Sequence, residues 1–198
     1  MNLIQWQQTR ALLLQPGAIT LIALMAATRF HHFGSTLTLP DASLAVFFLA
    51  GLWFNSITLC VVLLLEAGLI DYLAISQFGV SDFCISPAYV FLIPTYAIVW
   101  FGGQYSKQFN DQKFSHLTIQ FAMLVVTVSL AFVISNGSFY LLSDKYSVIN
   151  WSEYSARFLQ YYPPYLQYAV IYVVAIYILN LLLRQLRSFN SETELPKA

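Results

Sequence analysis

"PPYLQYAVIYVVAIYILNLLLRQLR", residues 163–187, decides what kind of protein this is. Between its two prolines and Arg184 it contains no charged side chain. At about 1.5 Å per residue, a helix of roughly 20 such residues crosses a hydrocarbon core about 30 Å thick. Its apolar residues follow one another instead of alternating, which favours a helix over a β-barrel strand, since backbone groups in lipid must be satisfied within the protein. The rest of the chain agrees. Of 198 residues, 59% are hydrophobic and 9% charged, against about 25% charged in soluble domains. Mean hydropathy is +0.66.

Working outward from that stretch predicts an all-α membrane protein, a six-transmembrane-helix bundle. The spans fall at about 14–30, 41–54, 57–76, 87–103, 116–142 and 164–186 of a single domain, 1–190, with a polar tail at 191–198. The start lacks the charged region and cleavage site of a signal peptide, so the first span is expected to stay. Asp41 after Pro40 reads as the N-cap of the second helix, and Asn55-Ser56 as the break before the third. Pro94 is expected to kink the fourth span and Gly102-Gly103 to end it. Residues 143–163 read as a long aromatic loop. Six spans put both termini on one side. Arg10, Lys107, Lys113, Arg184, Arg187 and Lys197 fall there, and Arg29, Lys145 and Arg157 fall opposite. Six basic residues against three predict cytoplasmic termini.

This topology gathers the unusual polar residues at the other, outer end: His31 and His32, Asp71, Cys84, Tyr89, Glu153 and Arg157. Each has an ordinary explanation. Asp71 can sit in wet headgroups near the end of its helix, Tyr89 can belong to an interfacial belt, and adjacent histidines can be solvated. Arg157 is a surface charge unless it pairs with Asp71 or donates to a ligand. Cys84 stands apart. In "SDFCISPAY", 81–89, it lies outside the apolar runs on a turn held by Gly79 and Pro87. Such a thiol is a packing cysteine, a nucleophile or a soft metal ligand. Cys60, inside an apolar run, reads as a small hydrophobe.

Ala23 and Ala27 share one face of the first span in an AxxxA spacing, which lets another helix approach closely, within this bundle or from a partner. Zero net charge gives no sign of nucleic-acid binding. The chain has no GxxxxGK[ST] loop for ATP, no HExxH, and no CxxC or zinc spacing of its two cysteines.

The six spans, the AxxxA face and above all "DFCISPAYVFLIP", 82–94, resemble the BtuM-type solitary S-components of the energy-coupling-factor (ECF) vitamin transporters. The resemblance covers about 14–186. It implies a bacterial inner-membrane protein that takes up cobalamin from the periplasmic side, with the sulfur of Cys84 on the corrin cobalt. It also implies His32, Asp71, Tyr89 and Arg157 as further pocket residues, and cyanide removed from cyanocobalamin when the thiolate takes its place, a reaction in which Cys84 would be the catalytic group. As partners it implies membrane lipid and, through Ala23 and Ala27, either an ECF coupling module or none. The chemistry agrees: a corrin needs one axial donor at its centre and hydrogen-bonding side chains around its amide rim. An S-component for another vitamin, a thiol-dependent membrane enzyme and a membrane scaffold subunit that binds no small molecule are the competing readings.

Overall fold

The structure is a computed structural model that describes residues 11–29, 39–83, 85–109, 113–146 and 150–193. Six α-helices occur among them: α1 (Pro16–Arg29), α2 (Ser43–Trp53), α3 (Ile57–Phe78), α4 (Leu92–Ser106), α5 (Phe114–Leu142) and α6 (Trp151–Thr193). Short 3-10 turns at Pro87–Phe91 and Lys107–Phe109 flank α4. No strand occurs among the described residues. Among the described residues three helices are long and apolar enough to cross a membrane: α3, α5 and, from Trp151 to Leu183, α6. The protein is therefore an all-helical, membrane-embedded one.

α2 sits at the centre. Ten of its eleven residues are buried, and at about 1.5 Å per residue it is only some 16 Å long. A helix so short can sit inside a membrane protein because its neighbours, not lipid, surround it. Asp41 was expected to be its N-cap, but the cap position falls to Ala42, whose carbonyl accepts the first helical bond from the Val46 N–H. Asp41 stands one residue earlier, accepting from the Ser43 N–H (2.9 Å) and hydroxyl (2.6 Å), while its other oxygen faces Arg29. Asn55 ends it with a positive φ of 50°, and the Ser56 hydroxyl caps α3 by accepting from the Leu59 N–H.

Against α2 lies α4, and two glycines set the distance. A side chain on Gly103 would strike the Phe48 carbonyl, and one on Gly51 the Trp100 carbonyl. The two backbones touch where these residues cross, which only glycine allows. Gly102-Gly103 was expected to end the fourth span, but the helix continues to Ser106, and both glycines serve packing, Gly102 against Thr127 of α5. Nor does Pro94 interrupt a helix. It stands third in α4, in the first turn, where its missing N–H leaves no hydrogen bond unmade.

The largest departure from the sequence reading concerns 143–163. Residues from Trp151 onward are already α6, which passes through Pro163 and Pro164 without ending. Two prolines read as a boundary because each removes a backbone donor. In a membrane helix the freed carbonyls are re-satisfied locally and the helix persists. A ladder of rings holds its first turns to α5: Phe132 meets Phe158, Tyr162 and Tyr165 at 5.1, 5.3 and 5.0 Å between centroids. Ser129 and Tyr162 share a 2.7 Å hydrogen bond. Residues 194–198 of the expected tail lie outside the described residues.

Candidate functional site

The polar residues meet around one buried guanidinium. Arg29 ends α1 at 6% exposure, facing Asp71 of α3 at 7%. Its Nε donates to Asp71 Oδ1 at 2.7 Å and its Nη2 to Oδ2 at 2.5 Å, a two-pronged pair. Its Nη1 donates to the Tyr96 hydroxyl (2.6 Å), the Ser43 hydroxyl (3.1 Å) and Asp41 Oδ2 (3.4 Å). One cation thereby joins α1, the start of α2, α3 and α4. Tyr96 is itself fixed by stacking on Phe47 of α2, with ring centroids 4.4 Å apart.

Tyr89 completes the network by donating to Asp71 Oδ2 at 2.7 Å. That bond ties the 3-10 turn Pro87–Phe91 to the ion pair. The turn follows directly on the segment 81–86, which is further held by a hydrogen bond from the Ile85 N–H to the Asp82 carbonyl (2.8 Å). Phe83 packs on Phe139 of α5 (5.8 Å) and under the Lys145 ammonium (5.0 Å). Cys84, His31 and His32 lie outside the described residues.

Asp71 and Tyr89 are thus brought together, as their shared end of the bundle suggested, but Arg157 is not with them. The arginine that pairs with Asp71 is Arg29, which sequence reading used only as a topology charge. Arg157 lies instead between the rings of Tyr146 (4.7 Å) and Tyr161 (5.2 Å). Burial raises the Tyr146 hydroxyl above the ordinary tyrosine range, with Arg157 opposing. The ring therefore meets the cation as a neutral phenol, through its π face. Asp71 also lies deeper than expected. α3 runs to Phe78, so the carboxylate stands seven residues, about 10 Å, below the helix end and inside protein rather than among headgroups.

At the end of the bundle where α3 finishes and α6 begins, three buried polar atoms have no hydrogen-bond partner among the described residues: Ser86 Oγ, Asn136 Oδ1 and Arg157 Nε. Native proteins leave few such atoms unmet, and each points to a missing partner. One accepts, one donates, and the hydroxyl does either. Asn136 was not singled out from sequence. The available signal was an amide in the middle of an apolar run, "LAFVISNGSFYLL".

Toward the opposite end, Phe48, Leu52, Leu124, Val173, Tyr177 and Ile178 line a cavity of about 240 Å³. It is apolar and smaller than the roughly 300–1,000 Å³ of small-molecule sites, and Gln120 at its wall already donates to the Phe109 carbonyl (2.9 Å). Ala23 and Ala27 lie on the exposed side of α1, so they are not consumed by packing inside this bundle. Among the described residues no group of three or more His, Cys, Asp or Glu side chains is arranged to hold a metal ion. No protein-family model matches the chain, and no curated protein is found to be similar to it.

Proposed function

We propose that this protein binds cobalamin at the end of the bundle where α3 finishes and α6 begins, and carries it across the inner membrane of a bacterium. The observation that carries this reading is the set of unpartnered buried atoms there, Ser86 Oγ, Asn136 Oδ1 and Arg157 Nε. A ligand rimmed with amides supplies donors and acceptors in equal number, which is what a mixed set of orphaned atoms requires. The apolar cavity at the other end offers neither the volume nor the polarity.

In this reading the Cys84 thiolate is the axial ligand of the cobalt, a soft donor for a polarizable metal. Asp71 and Tyr89 then act mainly by position: the Tyr89–Asp71–Arg29 chain anchors the turn that follows the cysteine. Arg157, His32, Ser86 and Asn136 serve the rim. With cyanocobalamin the Co–S bond forms as the Co–CN bond breaks. Cyanide leaves with its electron pair, and no electron is gained or lost by the metal. The shorter α1, α2 and α4 join the three long helices as spans of a six-helix S-component with cytoplasmic termini. The exposed Ala23–Ala27 face is where the coupling subunit of an ECF module would dock.

The test is an absorbance spectrum of the purified protein after incubation with cyanocobalamin, beside Cys84→Ala. A co-purifying, shifted corrin spectrum that the substitution abolishes is the expected result. Colourless protein in both cases would overturn cobalamin, and an unshifted spectrum indifferent to the substitution would overturn thiolate ligation.

A further inference from the structure

Glu66 takes no part in the site just described. It stands about midway along α3, on the margin of the buried face. Leu63 one turn below and Ile70 one turn above are buried, while Leu65 and Leu69 beside it are exposed. The residue is half-buried, but its Oε2 is fully buried and has no hydrogen-bond partner among the described residues. A carboxylate at such a depth needs either a cation or a proton, because burying an unpaired charge costs far more than neutralising it.

Five residues further along α3, Asp71 holds the guanidinium of Arg29 of α1, the cation buried against this helix. The other titratable groups on α3 and the elements packed around it are Asp41 ahead of α2, Tyr89 before α4, Tyr96 and Tyr105 within it, and Cys60, Asp71 and Tyr72 on α3 itself. Arg29 is already committed. Its Nε and Nη2 hold Asp71, and its Nη1 serves Asp41, Ser43 and Tyr96. Two carboxylates therefore share one guanidinium, and an ionised Glu66 would be a third.

We propose that Glu66 is a proton-binding site inside the membrane, holding one proton while Arg29 is paired with Asp71 and releasing it to water when that pair opens. With the pair closed, protonation keeps the group of Arg29, Asp41, Asp71 and Glu66 at a net charge of −1 instead of −2. With the pair open, the guanidinium is free to balance a Glu66 carboxylate. Linkage makes the effect reciprocal: loading the proton favours the closed pair, and removing it favours opening. A proton gradient thus gains a handle on the element that anchors the polar end of the bundle, from within this chain and irrespective of which ligand binds there.

The experiment is infrared spectroscopy of the protein in lipid nanodiscs, following the carbonyl stretch of protonated carboxyl groups as pH is varied through neutrality. Wild type should show a protonated-carboxyl band at neutral pH that is lost in Glu66→Gln, whose neutral amide mimics the protonated acid and preserves the fold. Asp71→Asn frees Arg29 and should weaken the Glu66 band severalfold at the same pH. Asp41→Asn, at a half-buried position, is the milder substitution and should shift the band in the same direction. Absence of any band sensitive to Glu66→Gln would overturn the site. A band that neither Asp71→Asn nor Asp41→Asn moves would overturn its coupling to the ion pair.

Discussion

α2 and α6 are both apolar helices, yet they meet opposite surroundings. α2 is eleven residues long and buried on every face, with Phe47, Phe48, Leu49 and Leu52 almost fully enclosed. α6 is 43 residues long, and Ala169 is its one fully buried hydrophobic residue among those described. Leu179 and Leu182 of α6 are about half exposed, at 52% and 51%. In water such exposure would signal a binding surface. In a bilayer it is the lipid-facing side, since lipid tails are as apolar as leucine. Hydrophobicity therefore does not tell a core helix from a peripheral one in this protein. What does is the presence of small and polar residues that permit or demand contact with another helix.

That contrast is open to test. The largest effect is expected from Gly103→Val, which drives a branched side chain into the Phe48 carbonyl at the α2–α4 crossing. Backbone must part from backbone there, and a loss beyond about 4 kcal/mol is expected. In practice the protein should fail to elute as a monodisperse species on size-exclusion chromatography in detergent. Gly51→Val should fail in the same way, and a well-folded variant of either would refute the backbone contact.

Removal of the guanidinium by Arg29→Ala comes next. It leaves Asp71 buried without its counter-ion, at an expected cost of about 3–5 kcal/mol, read as a fall in the thermal unfolding midpoint in detergent. The pair Arg29→Met with Asp71→Leu should recover part of that loss, because no charge is then stranded between α1 and α3. Tyr89→Phe removes one hydrogen bond to a carboxylate and should cost about 1.5 kcal/mol. Proteolysis in the 81–91 segment should rise with it, since the turn loses its anchor to α3. The smallest effect belongs to the lipid face of α6. Leu182→Ala should change stability by less than about 0.5 kcal/mol, and a larger loss would show that this face is covered by protein.

Much of this fold was legible in the sequence for physical reasons that are local. The third helix was expected at 57–76 and runs to Phe78; the fifth was expected at 116–142 and begins at Phe114. A polar break or a capping residue marks such ends within a few positions. Ser56 did so as the cap itself, accepting from the Leu59 N–H, whereas Asp41 marked its helix start one residue early, the cap position falling to Ala42. The same local reading failed at Pro163-Pro164 and at Gly102-Gly103. Those residues are helix breakers in water, but here one pair is tolerated and the other is needed for close approach.

The site was less legible. Asp71 and Tyr89 were identified and do meet, because both belong to one end of the bundle and their bond bridges only eighteen positions of chain. Arg29 was passed over as the partner, although an arginine closing an apolar helix needs one. Its carboxylate lies 42 residues away, and nothing local to either residue names the other. For Arg157 the sequence left three roles open, a surface charge, a pair with Asp71 or a donor to a ligand, and its guanidinium lies over two tyrosine rings, not on Asp71.

By itself the sequence determined that this is a helical membrane protein and roughly where its helices begin and end. Run length, hydrogen-bond satisfaction in lipid and capping are all properties of contiguous residues. Only the tertiary structure decided that Arg29 would be shared by Asp71 and Asp41, that Glu66 Oε2 would be buried with no hydrogen-bond partner among the described residues, and that Gly51 and Gly103 would stand where two backbones touch. Those outcomes depend on which helix faces meet. In a chain apolar on nearly every face, that is settled by shape and by the few buried charges, not by hydrophobic pattern.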